Sequence, residues 1–430
     1  MAEKKVKKPE LIAPAGDIEK LKVAFHFGAD ACYVGLTDFS LRAKTKNFNL
    51  SEIKEAIEYS HKNDKKIYIT FNIYFTPDET EKLISYLKLL DKLQPDGLII
   101  SDLGALYLSK KYAPAIPVHI STQANTTNQF AAELLNELGV KRIVLARELT
   151  LKNILKFKKE VNIELEAFVH GAMCIAYSGR CLLSAYMTHP QLGRRKDIDS
   201  TEIRSANKGD CAHSCRWEYI LKEKTRGEQE YEVLEDYDGT YIFSSKDLCM
   251  IDHIDDMVNA GIDSFKIEGR MKSILYISSI VRAYRNAIDH WYHKKINYDK
   301  NIILKELDVV SHREFCTGFF YNKPMKQANT TKGGVYKRKI RLAALIEDVL
   351  INEEKAILKV YNTININDKI EYIAPGMKTI EIGKIVFRDK DNDIKNKVNH
   401  SEYISAQFWD KNGNIIIPAK LDILRMEADF

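Results

Sequence analysis

Four of the seven cysteines in this 430-residue chain, Cys174, Cys181, Cys211 and Cys215, fall between positions 174 and 215. Six residues separate the first pair, twenty-nine separate Cys181 from Cys211, and three separate the last pair. Thiolates bind soft metals, and four of them complete either a zinc site or an iron–sulfur cluster. Zinc knuckles use two close pairs, and only Cys211 with Cys215 has that spacing. The wider first pair, in a glycine-bearing loop, suits a larger cluster better. Arg180 and Arg216 each adjoin a cysteine and would offset a cluster's negative charge. Free cysteine is often just a small core residue, yet the neighbours here are Gly, Ser, Arg, Asp and His, which do not describe a core. A metal centre is therefore expected. Cys249, in SKDLCMI, is a spare thiol that would replace Cys211 or Cys215 as a ligand, whereas Cys32 and Cys316 read as core or incidental residues.

A second set of polar residues stands just past short apolar runs: Asn72, Asp102, Gln123, Arg147, Glu148, His170, Glu268 and Arg270. Arg147, Glu148, His170, Glu268 and Arg270 are the catalytic candidates. Two arginines beside two carboxylates bind an anionic organic substrate and manage protons, and His170 adjoins the cysteines, where it would tune a cluster or relay protons. Asn72, Asp102 and Gln123 are candidates for substrate binding. Each taken singly also reads as a helix cap or a structural side chain. The basic run Arg194, Arg195, Lys196, Arg204 and Lys208 would hold nucleic-acid phosphates, or is a solvated loop. The chain contains no HExxH, no GxSxG and no P-loop, so hydrolysis lacks an identifiable nucleophile or metal motif.

Positioning these groups requires a scaffold, and the pattern supplies one. Apolar runs at 10–15, 31–36, 66–72, 97–102, 118–124, 142–148, 163–171 and 264–270 read as buried strands with little polar alternation. Helical patterns lie at 17–28, 50–64, 77–93, 128–139, 150–160, 248–261 and 273–295. Eight strands in one alternation with helices predict a (β/α)8 TIM-type barrel, an α/β fold. An open doubly wound sheet is the competitor, but no GxGxxG favours it. Between the seventh and eighth strands an insertion at about 172–263 carries the cysteines. Loops after barrel strands build the active-site face, which places cysteines and strand-end polar groups on one rim. Beyond it come the aromatic pair Phe319–Phe320 and the basic stretch Lys337, Arg338, Lys339 and Arg341. Then RLAALIEDVL, KAILKVYN, KIEYIAP, TIEIGKIVF, EYISAQF and NIIIPA predict a small C-terminal β-barrel, with Asn412–Gly413 as a hairpin turn. The expected domains are 1–335, catalytic, and 336–430, the β-barrel.

At 45% hydrophobic and 29% charged residues the chain is an ordinary globular protein. No stretch approaches the roughly 20 apolar residues of a membrane span, and the basic start MAEKKVKKPE leads into no apolar signal core. A cytoplasmic location without a membrane partner is expected, with reduced thiols. A net charge of +5 permits nucleic-acid binding without requiring it. The sequence carries no signal for an oligomeric state.

The stretch Glu166 to Ser184 resembles the signature of peptidase family U32, the collagenase-like proteins. So do ELIAPAGDIEKLKVAFHFGADACYVGL, the run Asp210 to Tyr219 and SFKIEGRMKS, and the likeness runs from about residue 9 to residue 335. Within the family, SLRAKTKNFNL, SDLGAL, HISTQAN, LARELT and FVHGAMCIAYSGRCLLS are similar to the branch that hydroxylates the tRNA wobble uridine to 5-hydroxyuridine. That resemblance implies an RNA-hydroxylating oxidoreductase acting on tRNA. It implies a 4Fe–4S cluster, with zinc as the alternative, and a prephenate-derived co-substrate, a dicarboxylate that would suit Arg147 and Arg270. The alternative reading is a U32-type peptidase.

Overall fold

The structure, a computed structural model, describes residues 7–37, 47–173, 178–188, 204–206, 211–212, 214, 221–222, 230–231, 234–236, 239–241, 246–294, 298–321 and 340–428. Cys174, Cys215, Arg194, Arg195, Lys196 and Lys208 lie outside the described residues.

Runs of branched residues with no polar alternation form strands that are covered on both faces. They are β1 (Glu10–Pro14), β2 (Ala31–Gly35), β3 (Lys66–Phe71), β4 (Gly97–Ile100), β5 (Val118–Ile120), β6 (Arg142–Val144), β7 (Glu164–Ala172), β8 (Asp247–Cys249) and β9 (Ser264–Ile267). Apart from β8, each pairs in parallel with the next, and β9 closes the ring by pairing with both β7 and β1. This is the expected eight-stranded barrel. Several strands stop short of the expected end because a cap takes over: after β5, the Ser121 hydroxyl accepts from the Gln123 amide at 3.3 Å and opens a single 3₁₀ turn.

β7 is the long strand, and its overhang is where expectation and structure part. Residues 170–172 pair antiparallel with β8, and β8 pairs in parallel with β10 (Phe315–Cys316). The expected helix at 248–261 therefore begins as strand. Its helical part is confined to one 3₁₀ turn and the helix Ile254–Asn259, because the unpaired edge of the β7 overhang recruits residues 247–249 first.

The helices in chain order are α1 (Ile18–His26), α2 (Leu50–Lys62), α3 (Thr80–Leu93), α4 (Leu103–Tyr112), α5 (Gln129–Glu137), α6 (Leu151–Glu160), α7 (Leu183–Met187), α8 (Ile254–Asn259), α9 (Ile274–His293) and α10 (Lys300–Asp308). A capping box opens α2: Asn49 accepts from the Glu52 amide at 3.0 Å and Glu52 accepts from the Asn49 amide at 2.9 Å. α4, α7 and α10 were not expected. Leu103 and Tyr107 on α4 are 67% and 66% exposed, so apolar residues occupy both of its faces and blur the helical period. Among the described residues no helix is long and apolar enough to cross a membrane.

The strand starts carry a buried charge network. Arg142 donates to Glu10 at 2.6 Å, to Glu164 at 2.8 Å and to Glu166 at 3.2 Å, and Lys266 donates to Glu166 at 2.7 Å. Glu166 is 0% exposed. These groups stand at the N-terminal end of a TIM-type barrel, the end associated with stability rather than chemistry.

Packing divides the chain into two compact units: residues 1–18, 30–271 and 312–336 in one, 19–29, 272–311 and 337–430 in the other. The second contains β11 (Ile340–Leu350), β12 (Lys355–Val360), β13 (Ile370–Ile373), β14 (Thr379–Arg388), β15 (Tyr403–Asp410) and β16 (Ile423–Glu427). They close an antiparallel barrel in the order β13–β16–β11–β12–β15–β14 around Ile346, Leu358, Phe387, Phe408 and Leu424. The sixth strand is not the expected NIIIPA. That segment makes one bridge, Ile415 to Trp409, after the Asn412–Gly413 turn, and Pro418 then offers no N–H to continue it. Helices α1, α9 and α10 are fastened to this β-barrel. Glu306 accepts from Arg282 at 2.5 Å and from Arg425 at 2.9 Å, and His26 meets Asp422 at 2.7 Å.

Candidate site at the barrel rim

The C-terminal ends of the barrel strands gather most of the described candidates. Arg147, three residues past β6, reaches over β7: its guanidinium sits 4.0 Å from the Phe168 ring centroid, donates to the Ala172 carbonyl at 2.7 Å and lies 3.6 Å from Glu268 beyond β9. Arginine and carboxylate from strands two places apart are thus brought together across an aromatic ring. Beside Arg147, Phe168 and Met173 there is a cleft of only about 10 Å³, enough for a water-sized group. Arg270, 5% exposed, donates to the Thr70 hydroxyl of β3 at 3.3 Å, three strands round the ring from its own.

The cysteine loop is anchored to the same rim through Ser178. Its amide donates to Glu148 at 2.8 Å and its hydroxyl to the same carboxylate at 3.2 Å, while its carbonyl accepts from the Asn125 amide at 3.0 Å. The next residue, Gly179, has φ +73°, and a Cβ there would lie 1.9 Å from the Gln123 carbonyl oxygen. No other residue type fits so close an approach with that backbone. Tyr74 holds the same carbonyl from the other side with an O–H donated at 2.7 Å. Burial chiefly raises the Tyr74 pKa, with Asp102 adding to the rise and Arg180 opposing it. Sequence reasoning made Glu148 a catalytic candidate and Gln123 a substrate-binding one; in the structure the Glu148 carboxylate and the Gln123 main chain both contact the segment Ser178–Gly179 that leads to Cys181. Ser178, Gly179, Asn125 and Phe168 were missed. Only the Ser-Gly pair inside the cysteine motif signalled a tight turn.

Of the expected ligands, Cys181 and Cys211 are described and half-buried. Ser184, three residues after Cys181, ties their segments together: its hydroxyl donates to the Arg204 carbonyl at 2.6 Å and accepts from the Ala212 amide at 2.8 Å. Arg204 in turn donates to the Cys211 carbonyl at 3.1 Å. Two thiol-bearing segments far apart in sequence are thereby joined within two polar contacts, which fits a shared metal or cluster. Among the described residues no three His, Cys, Asp or Glu side chains converge as a ready metal site.

Cys249 belongs to the rim sheet, opposite His170 in the β7–β8 register. His170 is 1% exposed, its ring 5.4 Å from Phe315, which stacks on His312 at 4.1 Å. Cys316 pairs with Leu248 in the same sheet, and burial raises its thiol pKa. Asp102 caps α4, accepting from the Ala105 amide at 3.0 Å. Asn72 follows β3 directly and is half-buried.

Known proteins share this sequence widely. The model of peptidase family U32 matches residues 16–330. A protein of Bacillus subtilis named tRNA hydroxylation protein P1 is 35% identical over 426 residues, covering 98% of this chain and 92% of that one. The tRNA hydroxylation protein P of Helicobacter pylori is 38% identical over 391 residues, 89% of this chain and 88% of that one. A 23S rRNA 5-hydroxycytidine synthase of Escherichia coli is 35% identical over 280 residues, 65% of this chain and 39% of its own length.

Proposed function

This chain belongs to peptidase family U32, and we propose that it hydroxylates tRNA, forming 5-hydroxyuridine at the anticodon wobble position. The observation that carries the reading is the likeness, along nearly the whole chain, to proteins named for tRNA hydroxylation. The ribosomal relative's name gives a product with its hydroxyl on the same pyrimidine carbon. Wobble bases are already largely unstacked, so presenting one to a barrel mouth costs little.

A 4Fe–4S cluster held by Cys174, Cys181, Cys211 and Cys215 would supply the electron-transfer chemistry that oxidation at carbon 5 requires. The chain's own residues have simpler tasks. Glu148, Asn125 and Gly179 hold the cysteine loop against the rim. Arg147, fixed by Ala172 and Glu268, presents a cation for the carboxylate of a prephenate-derived co-substrate, with Arg270 deeper in the mouth. Asn72, directly after β3, would meet a uracil edge, and Arg194 and Lys208 would supply cations for phosphates.

A cysteine peptidase would have to activate a thiolate with a histidine. Cys249 faces His170 in register, but His170 is buried against Phe315, out of reach of a peptide. The test is nucleoside mass spectrometry on tRNA from cells with and without the gene. Loss of 5-hydroxyuridine and its derivatives, restored by the wild type and not by Cys174→Ser, is the expected result. An unchanged profile in cells lacking a second family member defeats the reading.

A further inference from the structure

Helices α4 and α5 lie side by side on the outside of the eight-stranded barrel. They follow the neighbouring parallel strands β4 and β5, so both run back against the sheet in the same direction. Their C-terminal ends are tied together: Lys110, in the last turn of α4, donates from Nζ to the carbonyl of Gly139, just past α5, at 2.7 Å.

The outward face of this pair carries two apolar rows. Leu103 and Tyr107, one turn apart on α4, are 67% and 66% exposed. Phe130 and Leu134, one turn apart on α5, are 70% and 57% exposed, and Leu138 continues their row at 47%. Apolar side chains scattered singly over a surface are ordinary, but adjoining rows make a patch. Leu106, Ala132 and Leu135 already bury the inward faces of the two helices, so the patch adds nothing to the barrel's own core. Charge is sorted on the same face. The last turn of α4 is basic, with Lys110 and Lys111 exposed, whereas α5 exposes Glu133 and Glu137. Glu137 ends α5, where the helix dipole disfavours an anion, so the helix itself does not account for it.

Such a face is complementary to itself. Two copies stacked about a two-fold axis parallel to the helices set α4 of one on α5 of the other. Leu103 then meets the partner's Phe130, Tyr107 the partner's Leu134, and Lys111 the partner's Glu137, and each contact is made twice. A foreign partner needs no match between the two halves of one face, whereas a second copy requires it. We infer that α4 and α5 form the contact of a symmetric homodimer of this chain. Helices of 10 and 9 residues give a footprint smaller than the ~800 Å² that each partner buries in a standard complex. The dimer is therefore expected in the micromolar range, dissociating on dilution.

Full-length wild type, Tyr107→Glu, Lys111→Glu, Glu137→Lys and the variant combining both charge reversals are compared by sedimentation velocity from about 1 to about 100 μM. The wild type is expected to pass from monomer to dimer across that range. Tyr107→Glu is expected to weaken the dimer about thirtyfold, as loss of a central aromatic anchor does. Each single reversal weakens it about tenfold by setting like charges against each other, and the combined variant recovers it. A merely structural role for either residue would give no such recovery. A wild type that stays monomeric, variants that dimerise as the wild type does, or single reversals that the combination does not rescue, all with native circular dichroism, overturn the inference. A monomeric wild type that co-sediments with phosphatidylglycerol vesicles, where Tyr107→Glu does not, gives the patch to a lipid surface and overturns it too. The readout is mass, so the result stands apart from whether 5-hydroxyuridine is the product.

Discussion

Glu148 and Ser178 are joined twice, the serine amide and hydroxyl donating to one carboxylate at 2.8 and 3.2 Å. Thirty positions apart in sequence, they fix a cysteine-bearing loop on the mouth of the barrel. Substituting Glu148→Ala removes an acceptor from a half-buried amide, at a cost of about 1–3 kcal/mol. Gly179→Ala is the sharper variant, since its Cβ would collide with the Gln123 carbonyl. Iron per chain after anaerobic purification is predicted to fall severalfold in Gly179→Ala, while far-ultraviolet circular dichroism stays native. Full iron content in that variant contradicts the anchoring role.

The cysteines divide into two groups. Cys174→Ser and Cys181→Ser are predicted to abolish iron and sulfide, whereas Cys32→Ser and Cys316→Ser keep both. Cys32 lies in β2 with 0% exposure, where burial pushes its thiol pKa far up, as for an inert core residue. Its serine variant buries a hydroxyl and loses about 1–3 kcal/mol of stability. Bleaching of Cys32→Ser, or zinc in place of iron in the wild type, counts against the assignment.

The charge network at the strand starts predicts an acid limit. Burial raises the Glu10 pKa, but Arg142 and Lys66 more than offset it, and the net shift is downward from 4.5. Glu164 is likewise lowered, burial being outweighed by Arg142 and Lys141. A carboxylate whose folded pKa is depressed contributes stability that is complete above its unfolded value, about 4.3, and is lost as pH falls through the folded one. Urea midpoints measured from neutral pH downward should hold level and then drop below about pH 4.3. Glu10→Gln is predicted to flatten that drop, and an identical acid limb in the variant would discount the network. Glu166→Ala leaves Arg142 and Lys266 short of a buried partner and is predicted to cost about 3–5 kcal/mol.

Arg425 and Arg282 share Glu306, whose pKa the two guanidinium groups pull down against the rise that burial alone would give. Arg425→Met is predicted to lose about 3–5 kcal/mol in urea unfolding. A chain ended at residue 339 strips α9 and α10 of Arg425 and α1 of Asp422. Such a truncation should unfold at lower urea than the full chain, so lost tRNA binding in it does not by itself locate an RNA contact. Unchanged stability on truncation would show the C-terminal β-barrel to be dispensable for those helices.

Much of this was legible in the sequence because it is local. A buried parallel strand must be a short run of branched apolar residues, and all eight barrel strands announced themselves that way, while the antiparallel β11 to β15 were legible as strand-forming runs separated by turn residues. The cysteine spacing and the family resemblance needed no coordinates either. What the sequence could not decide depended on partners distant along the chain. Residues 247–249 have no helical or strand preference strong enough to resist the open edge of the β7 overhang, so the pairing with residues 170–172 decided their form. Ile415 and Ile416 have strand propensity, yet the last place in the β-barrel went to Ile423–Glu427, which pairs with β11 and β13. Arg142 reads as an ordinary strand-start cation until Glu10, 132 positions away, is folded onto it. The role of Glu148 turned on the same point. A carboxylate at a strand end serves chemistry or scaffold equally well by composition, and only the tertiary structure brings Ser178 from the next loop onto it.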